Sequence, residues 1–289
     1  TSILRARNER ELRLPSLDEA PGPVPGEGGD AWTSAYTLPR NPYTRAKDPR
    51  ADPFFAVRSG ERIFVSTSLR VLALHAYTGE LLWDSNEPRG WSDLREGQRE
   101  ELFKGLDEKT GLVAPAASAN VVVAALQLPF TLLQSDKFNT INITTPIPER
   151  RLFAFDAQTG RKLWDHTPPK GWDGDGGTFA QRSTIAGPPV IAGSRVLAPC
   201  VRMQGRINYN VGCFDLDTGE LLWSRDVISG QREQNMFGRA EHEFQSAPLR
   251  VEGDRVIAIT QLGTIACLDL FTGEILWETL HEVIETPRN

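Results

Sequence analysis

One eleven-residue pattern recurs four times without gaps, and it limits what this chain can fold into. The copies are ALHAYTGELLW (Ala73 to Trp83), AFDAQTGRKLW (Ala154 to Trp164), CFDLDTGELLW (Cys213 to Trp223) and CLDLFTGEILW (Cys267 to Trp277). Each begins with a small residue and an apolar one. Asp156, Asp215 and Asp269 follow in three copies, where the first copy has His75. Thr-Gly comes at a fixed offset, and a tryptophan stands four residues after the glycine. Four of the chain's 7 tryptophans fill this single position, so the pattern is an internal repeat and each copy marks one structural unit.

The chemistry of the repeat reads as a β-hairpin. The apolar runs before each Thr-Gly are short and β-prone, as strands are. Gly79, Gly160, Gly219 and Gly273 supply a backbone conformation that a residue with a Cβ resists, which makes the Thr-Gly step a tight turn. The strand then returns and presents Trp83, Trp164, Trp223 or Trp277. A flat indole at a fixed place in each unit is suited to pack on the next unit and set the spacing between them. Upstream of each hairpin lies a second strand pair. It is clearest in APLRVE, Gly253-Asp254, RVIAITQ, and similar pairs are FFAVRSGERIFVSTS, LVAPAASANVVVAAL and PPVIAGSRVLAPC. Each unit is therefore expected to be a four-stranded antiparallel sheet, the blade of a β-propeller.

The pattern Ala-x-Asp-x-x-Thr-Gly-x-x-x-Trp resembles the tryptophan-docking motif of pyrroloquinoline-quinone (PQQ)-type repeats, over roughly residues 51 to 280. Such repeats occur in quinoprotein dehydrogenases and in non-catalytic relatives of the BamB type. The resemblance implies an all-β fold in which the four tryptophans are structural and Cys213 and Cys267 fill a small core slot. His75 departs from the pattern, as expected of an atypical terminal repeat. The resemblance also implies a periplasmic or otherwise extracytoplasmic bacterial location. Relatives usually close at seven or eight blades, so four blades are expected to be part of such a ring, completed by further sequence or by another chain.

The domain reading follows. Residues 1–50 are an irregular extension, with the Pro-, Gly- and acid-rich LPSLDEAPGPVPGEGGD reading as a linker. Blades then fill 51–289: blade one about 51–85, blade two about 111–166, blade three about 184–226 and blade four about 245–280. A helix is expected over 92–109, with Ser92 as its N-cap. Blade two carries a long insertion, 127–150, expected to be an extended hairpin and a candidate binding surface.

Composition excludes several functions. The formal net charge is -6 with both signs spread along the chain, and no basic stripe suggests nucleic acid. No apolar run approaches the ~20 residues that span a bilayer. A vicinal Cys-Cys pair and a C-x-x-C-H haem signature, which the dehydrogenase relatives would suggest, are absent from the sequence. No metal site or catalytic residue is assigned. The 3 cysteines leave two readings open for Cys200 and Cys213: a disulfide across a hairpin, or small buried thiols.

The candidate binding loops are KGWDGDGGTFAQRS, with Trp172, Asp173, Asp175, Phe179 and Arg182, and the parallel stretch holding Phe237 and Arg239. Asp173 and Asp175 alternate with glycines as in a calcium loop. An EF-hand would need a third ligand where Gly177 sits and an acidic residue where Thr184 sits, and an ordinary interblade loop is the alternative. The phenylalanine and arginine pairs either line a ligand face or seal the seam between blades. The functional expectation is a non-catalytic scaffold that binds protein and holds no cofactor, with a PQQ- and calcium-dependent dehydrogenase as the alternative.

Overall fold

Among the described residues the backbone forms four antiparallel sheets, each wound from four consecutive strands. The computed structural model describes residues 56–67, 69–95, 97–98, 114–138, 141–170, 172, 177–203, 207–230, 248–260 and 262–280. The first sheet runs in order through β1 (Ala56–Ser59), β2 (Arg62–Ser66), β3 (Val71–His75) and β4 (Leu81–Asp84). The second is β5 (Ala116–Ala117), β6 (Val121–Phe138), β7 (Ile141–Asp156) and β8 (Lys162–Asp165). The third is β10 (Val190–Ala192), β11 (Arg195–Met203), β12 (Ile207–Asp215) and β13 (Leu221–Gly230), with β9 (Thr184–Ile185) also paired to β11. The fourth is β14 (Arg250–Glu252), β15 (Arg255–Ile259), β16 (Thr264–Asp269) and β17 (Ile275–Leu280). These are four propeller blades.

The alternation of side chains along each strand explains why the blades stack. Val121, Val123 and Ala125 of β6 join Ile185, Val196, Ala198 and Phe214 of the third sheet in one buried cluster. Their neighbours Val122, Ala124 and Leu126 join Phe64, Val71 and Trp83 of the first sheet in another. Successive β residues point to opposite faces, so a near-continuous apolar run is what a sheet buried on both sides requires. The third sheet repeats the arrangement, turning Val196 and Ala198 toward the second and Leu197, Val211 and Cys213 toward the fourth.

The recurring motif builds the same hairpin each time. The small residue stands across the ladder from the tryptophan: Ala73 from Trp83, Ala154 from Trp164, Cys213 from Trp223 and Cys267 from Trp277. A bulge follows at the same step in all four, which re-aims the returning strand. The carboxylate of Asp215 accepts hydrogen bonds from the backbone N–H of Asp217 and Thr218 and from the Thr218 hydroxyl. Asp156 and Asp269 do the same in their turns. In the first blade the ring of His75 accepts from Thr78 N–H instead.

The structure decides between the two cysteine readings in favour of small buried thiols. Cys200 is paired with Asn210 and Cys213 with Leu197. All three cysteines are free and buried. The two thiols lie in clusters on opposite faces of the third sheet, so register and parity rule out the disulfide. Residues 91–95 form turns, with Asp93 N–H on the Gly90 carbonyl and Leu94 N–H on that of Trp91, so Ser92 is not an N-cap, while the described residues 97–98 of the expected 92–109 helix are helical. Most of the expected 92–109 helix lies outside the described residues, as does the 1–50 extension. The 127–150 insertion is the far part of β6 and β7, which pair from Val121–Asp156 out to Phe138–Ile141.

Candidate functional site

The seams between blades concentrate the repeat's invariant residues. An ideal Cβ on Gly160 would lie 2.7 Å from the Trp83 ring, and one on Gly219 would lie 2.6 Å from that of Trp164. Trp223 sits in the same contact with Gly273. These glycines hold φ of +71°, +75° and +69°. Both the left-handed backbone and the close ring exclude a side chain there. The indole N–H of each tryptophan donates to a carbonyl three residues before the glycine: Ala157 at 3.1 Å, Leu216 at 2.9 Å and Leu270 at 3.0 Å. Each dock thus joins apolar contact to one directed hydrogen bond. Gly79, the glycine of the first hairpin, is buried.

Sequence reasoning missed a second group at the same seams. The residue two places after the tryptophan reaches the receiving glycine. The His166 Nε2 lies 2.9 Å from the Gly219 carbonyl, and Arg225 Nε donates to that of Gly273 at 2.7 Å. His166 also stacks on Trp164, and burial lowers its pKa from the usual imidazole value. Its offset from the tryptophan was visible in the sequence, but its partner lies in the next blade.

The seam between blades two and three is also polar. Arg151 and Glu149, both fully buried, form an ion pair on β7. Arg151 donates to the Gln181 carbonyl at 2.6 Å and to that of Arg150 at 3.0 Å. The Arg150 N–H donates to the hydroxyl of Thr184. These bonds tie β7 to a helical turn, α1 (Phe179–Arg182), and to β9. Glu149 stands opposite a bulge where β6 has the three residues 128–130. Burial pushes its carboxyl up to about 7, against the opposing pull of Arg151. Desolvation likewise raises the Cys200 thiol to about 12, which makes it inert at neutral pH.

Of the predicted loop residues, Phe179 packs on the cluster between blades two and three, with the Arg202 guanidinium 5.3 Å from its ring centre. Arg182 is half-buried at the end of α1. Trp172 is half-buried, with its indole nitrogen 2.9 Å from where a Gly177 Cβ would stand. Asp173, Asp175, Phe237 and Arg239 lie outside the described residues. Among the described residues no three His, Cys, Asp or Glu side chains group as metal ligands would. No helix among them is long and apolar enough to cross a membrane.

The last tryptophan differs from the other three. Register places Ile257, Cys267 and Trp277 in one cross-strand row of the fourth blade. The corresponding rows Phe64–Ala73–Trp83, Val123–Ala154–Trp164 and Leu197–Cys213–Trp223 all face the following blade. Trp83 is 9% exposed, whereas Trp277 is 45% exposed. Ile259, on the same face, is 38% exposed.

The family model for the outer membrane protein assembly factor BamB matches residues 23–287. The chain belongs to this BamB-like repeat family. No curated protein matches it. Solved structures similar to it include BamB from Moraxella catarrhalis, at 15% identity and a TM-score of 0.35, covering 78% of this chain and 63% of that one. Also similar is the quinohemoprotein alcohol dehydrogenase ADHIIG from Pseudomonas putida HK5, at 15% identity and a TM-score of 0.49, covering 78% and 33%. A europium-containing methanol dehydrogenase aligns at 15% identity and a TM-score of 0.48, covering 78% and 41%. The BamB-like chain thus spans less than two thirds of each of these relatives.

Proposed function

We propose that this BamB-like chain is a non-catalytic propeller scaffold that binds protein and works outside the bacterial cytoplasm. One observation carries the reading: the indole row of the fourth blade is built like the three docked rows and is left open. A half-exposed tryptophan beside a half-exposed isoleucine is an apolar patch of the kind that marks an interaction surface. Its occupant is a further repeat of the same type, whose Thr-Gly turn offers a glycine to Trp277 and a carbonyl to its indole N–H. With such repeats added, these blades form part of a seven- or eight-bladed ring. The family supports the periplasmic part of this reading, and no feature of the four blades bears on it.

Native mass spectrometry of the protein from its natural source tests this. The expected species is heavier than the 32.1 kDa of this chain, by the mass of further polypeptide. A species that carries quinone and calcium and oxidises alcohols would overturn the scaffold reading and establish the dehydrogenase.

A further inference from the structure

The β6–β7 ladder continues well past its blade, and its two edges differ. Beyond the bulge, residues 131–138 of β6 pair with 141–148 of β7. Among the described residues, β5 pairs with β6 at Val122 and Val123, and β8 pairs with β7 between Phe153 and Phe155. Neither reaches the ribbon. A two-stranded ribbon alone is marginally stable in water, so its open backbone groups are suited to pairing with another strand.

The two edges are not equivalent. Pro146 stands opposite Leu133 and Pro148 opposite Thr131. Proline has no N–H, so these are non-hydrogen-bonded pairs, whose backbone groups point away from the partner strand. The outer edge of β7 therefore lacks two donors and is blunted. By the same parity Thr131, Leu133, Ser135 and Lys137 direct N–H and C=O outward from β6, a run of four residues with no proline. This is the edge that β5 occupies at the blade, and between β5 and the ribbon the Trp91 indole N–H donates to the Gln127 carbonyl before the bulge.

We propose that this edge of β6 takes up an extended segment of a partner protein as an added antiparallel strand. The ribbon's register puts Leu132 opposite Ile147 and Phe138 opposite Ile141, positions of the same face. Gln134 and Asp136 lie between them on the same face of β6, so the matching segment is an extended strand whose alternate positions meet an apolar residue at each end of this row and polar ones in its middle. Backbone hydrogen bonds supply the affinity, and the alternate side chains supply the selectivity.

The probe is a fluorescein-labelled peptide of alternating valine and threonine with lysine at both ends, read by anisotropy against the full chain. Saturable binding is expected, with affinity at least about tenfold lower when alternate peptide nitrogens are methylated. Ser135→Pro removes an outward donor of β6 and should weaken binding by a similar factor. Thr144→Pro, its cross-strand partner, puts a proline on the already blunted edge and should leave binding unchanged. Circular dichroism of both variants checks that the blades remain folded. Absence of binding, or equal loss in both variants, overturns the proposal. So does concentration-dependent dimerisation of the full chain that Ser135→Pro abolishes, since a second copy would then be the occupant.

Discussion

The first and fourth blades carry the same cross-strand row of residues, with opposite outcomes. Trp83 lies against Gly160, donates to the Ala157 carbonyl and is buried with Phe64 and Phe155. Trp277 stands opposite the same kind of small residue, Cys267, after the same bulge, and keeps almost half its surface in contact with solvent. The hairpin alone therefore positions the indole. Burial comes from the next blade, whose glycine turn supplies a flat floor and a carbonyl. A repeat of this kind is only half of an interface, and its stability is a nearest-neighbour property.

Altering the floor should produce the largest difference. Gly160→Ala forces a Cβ into the Trp83 ring at φ +71°. Strain and overpacking together should cost more than about 3 kcal/mol. Gly253→Ala has a similar φ of +60° but open space around the new methyl, so only strain of about 1 kcal/mol is expected. Urea unfolding of the two variants checks this, and equal losses would mean that the ring contact contributes nothing.

The indoles themselves come next. Trp83→Ala should lose about 3–5 kcal/mol, as large-to-small changes at buried aromatics do. Trp277→Ala in the same chain should lose clearly less, about 1–2 kcal/mol, since the half-exposed ring has no glycine floor against it. Calorimetry of the pair measures what a glycine floor adds to the indole.

The polar seam between blades two and three sharpens the comparison further. Arg151→Met leaves the Glu149 carboxyl without its partner in the interior and should cost about 3 kcal/mol. Adding Glu149→Leu to that variant should restore most of the loss, which unfolding of single and double variants would show. Fluorescence-detected unfolding should also show a pH effect. Glu149 has its folded pKa raised from 4.5 to about 7, so the native state holds a proton that the unfolded chain releases within that window. Its contribution is therefore present below the unfolded value and is lost as pH rises toward 7. Glu149→Gln should flatten that decline.

The smallest effect is expected at the turns. The hydrogen bonds from Thr218 hold the Asp215 carboxyl below its usual range. Asp215→Asn should therefore remove stability present above the ordinary carboxylate pKa and lost as pH falls. Acid titration of the variant should show a shallower descent than that of the parent chain.

These contrasts also mark what the sequence could disclose. The hairpins were legible because Asp, Thr-Gly and Trp act within eleven residues, and the four sheets follow from them. The ion pair of Glu149 and Arg151 was not, because an extended hairpin over 127–150 gives no sign of burial until β7 lies against α1 and β9. The seam role of His166 was hidden for the same reason, since the Gly219 carbonyl is 53 residues away. Cys200 and Cys213 misled because two cysteines near one turn say nothing of register, and a three-residue offset along β11 put them on opposite faces. Trp91 lies outside the repeat, yet it is fully buried and donates to the Gln127 carbonyl. Nothing in its neighbourhood in sequence pointed to β6.

The most direct measurement is hydroxyl-radical footprinting of the tryptophans, on this chain alone and on the protein from its natural source. In the isolated chain the Trp277 peptide should oxidise several-fold faster than those holding Trp83, Trp164 and Trp223. In the natural protein its rate should fall to theirs, as a further Thr-Gly turn covers the ring. A Trp277 that stays equally reactive in both would contradict the view of the fourth blade as an open dock.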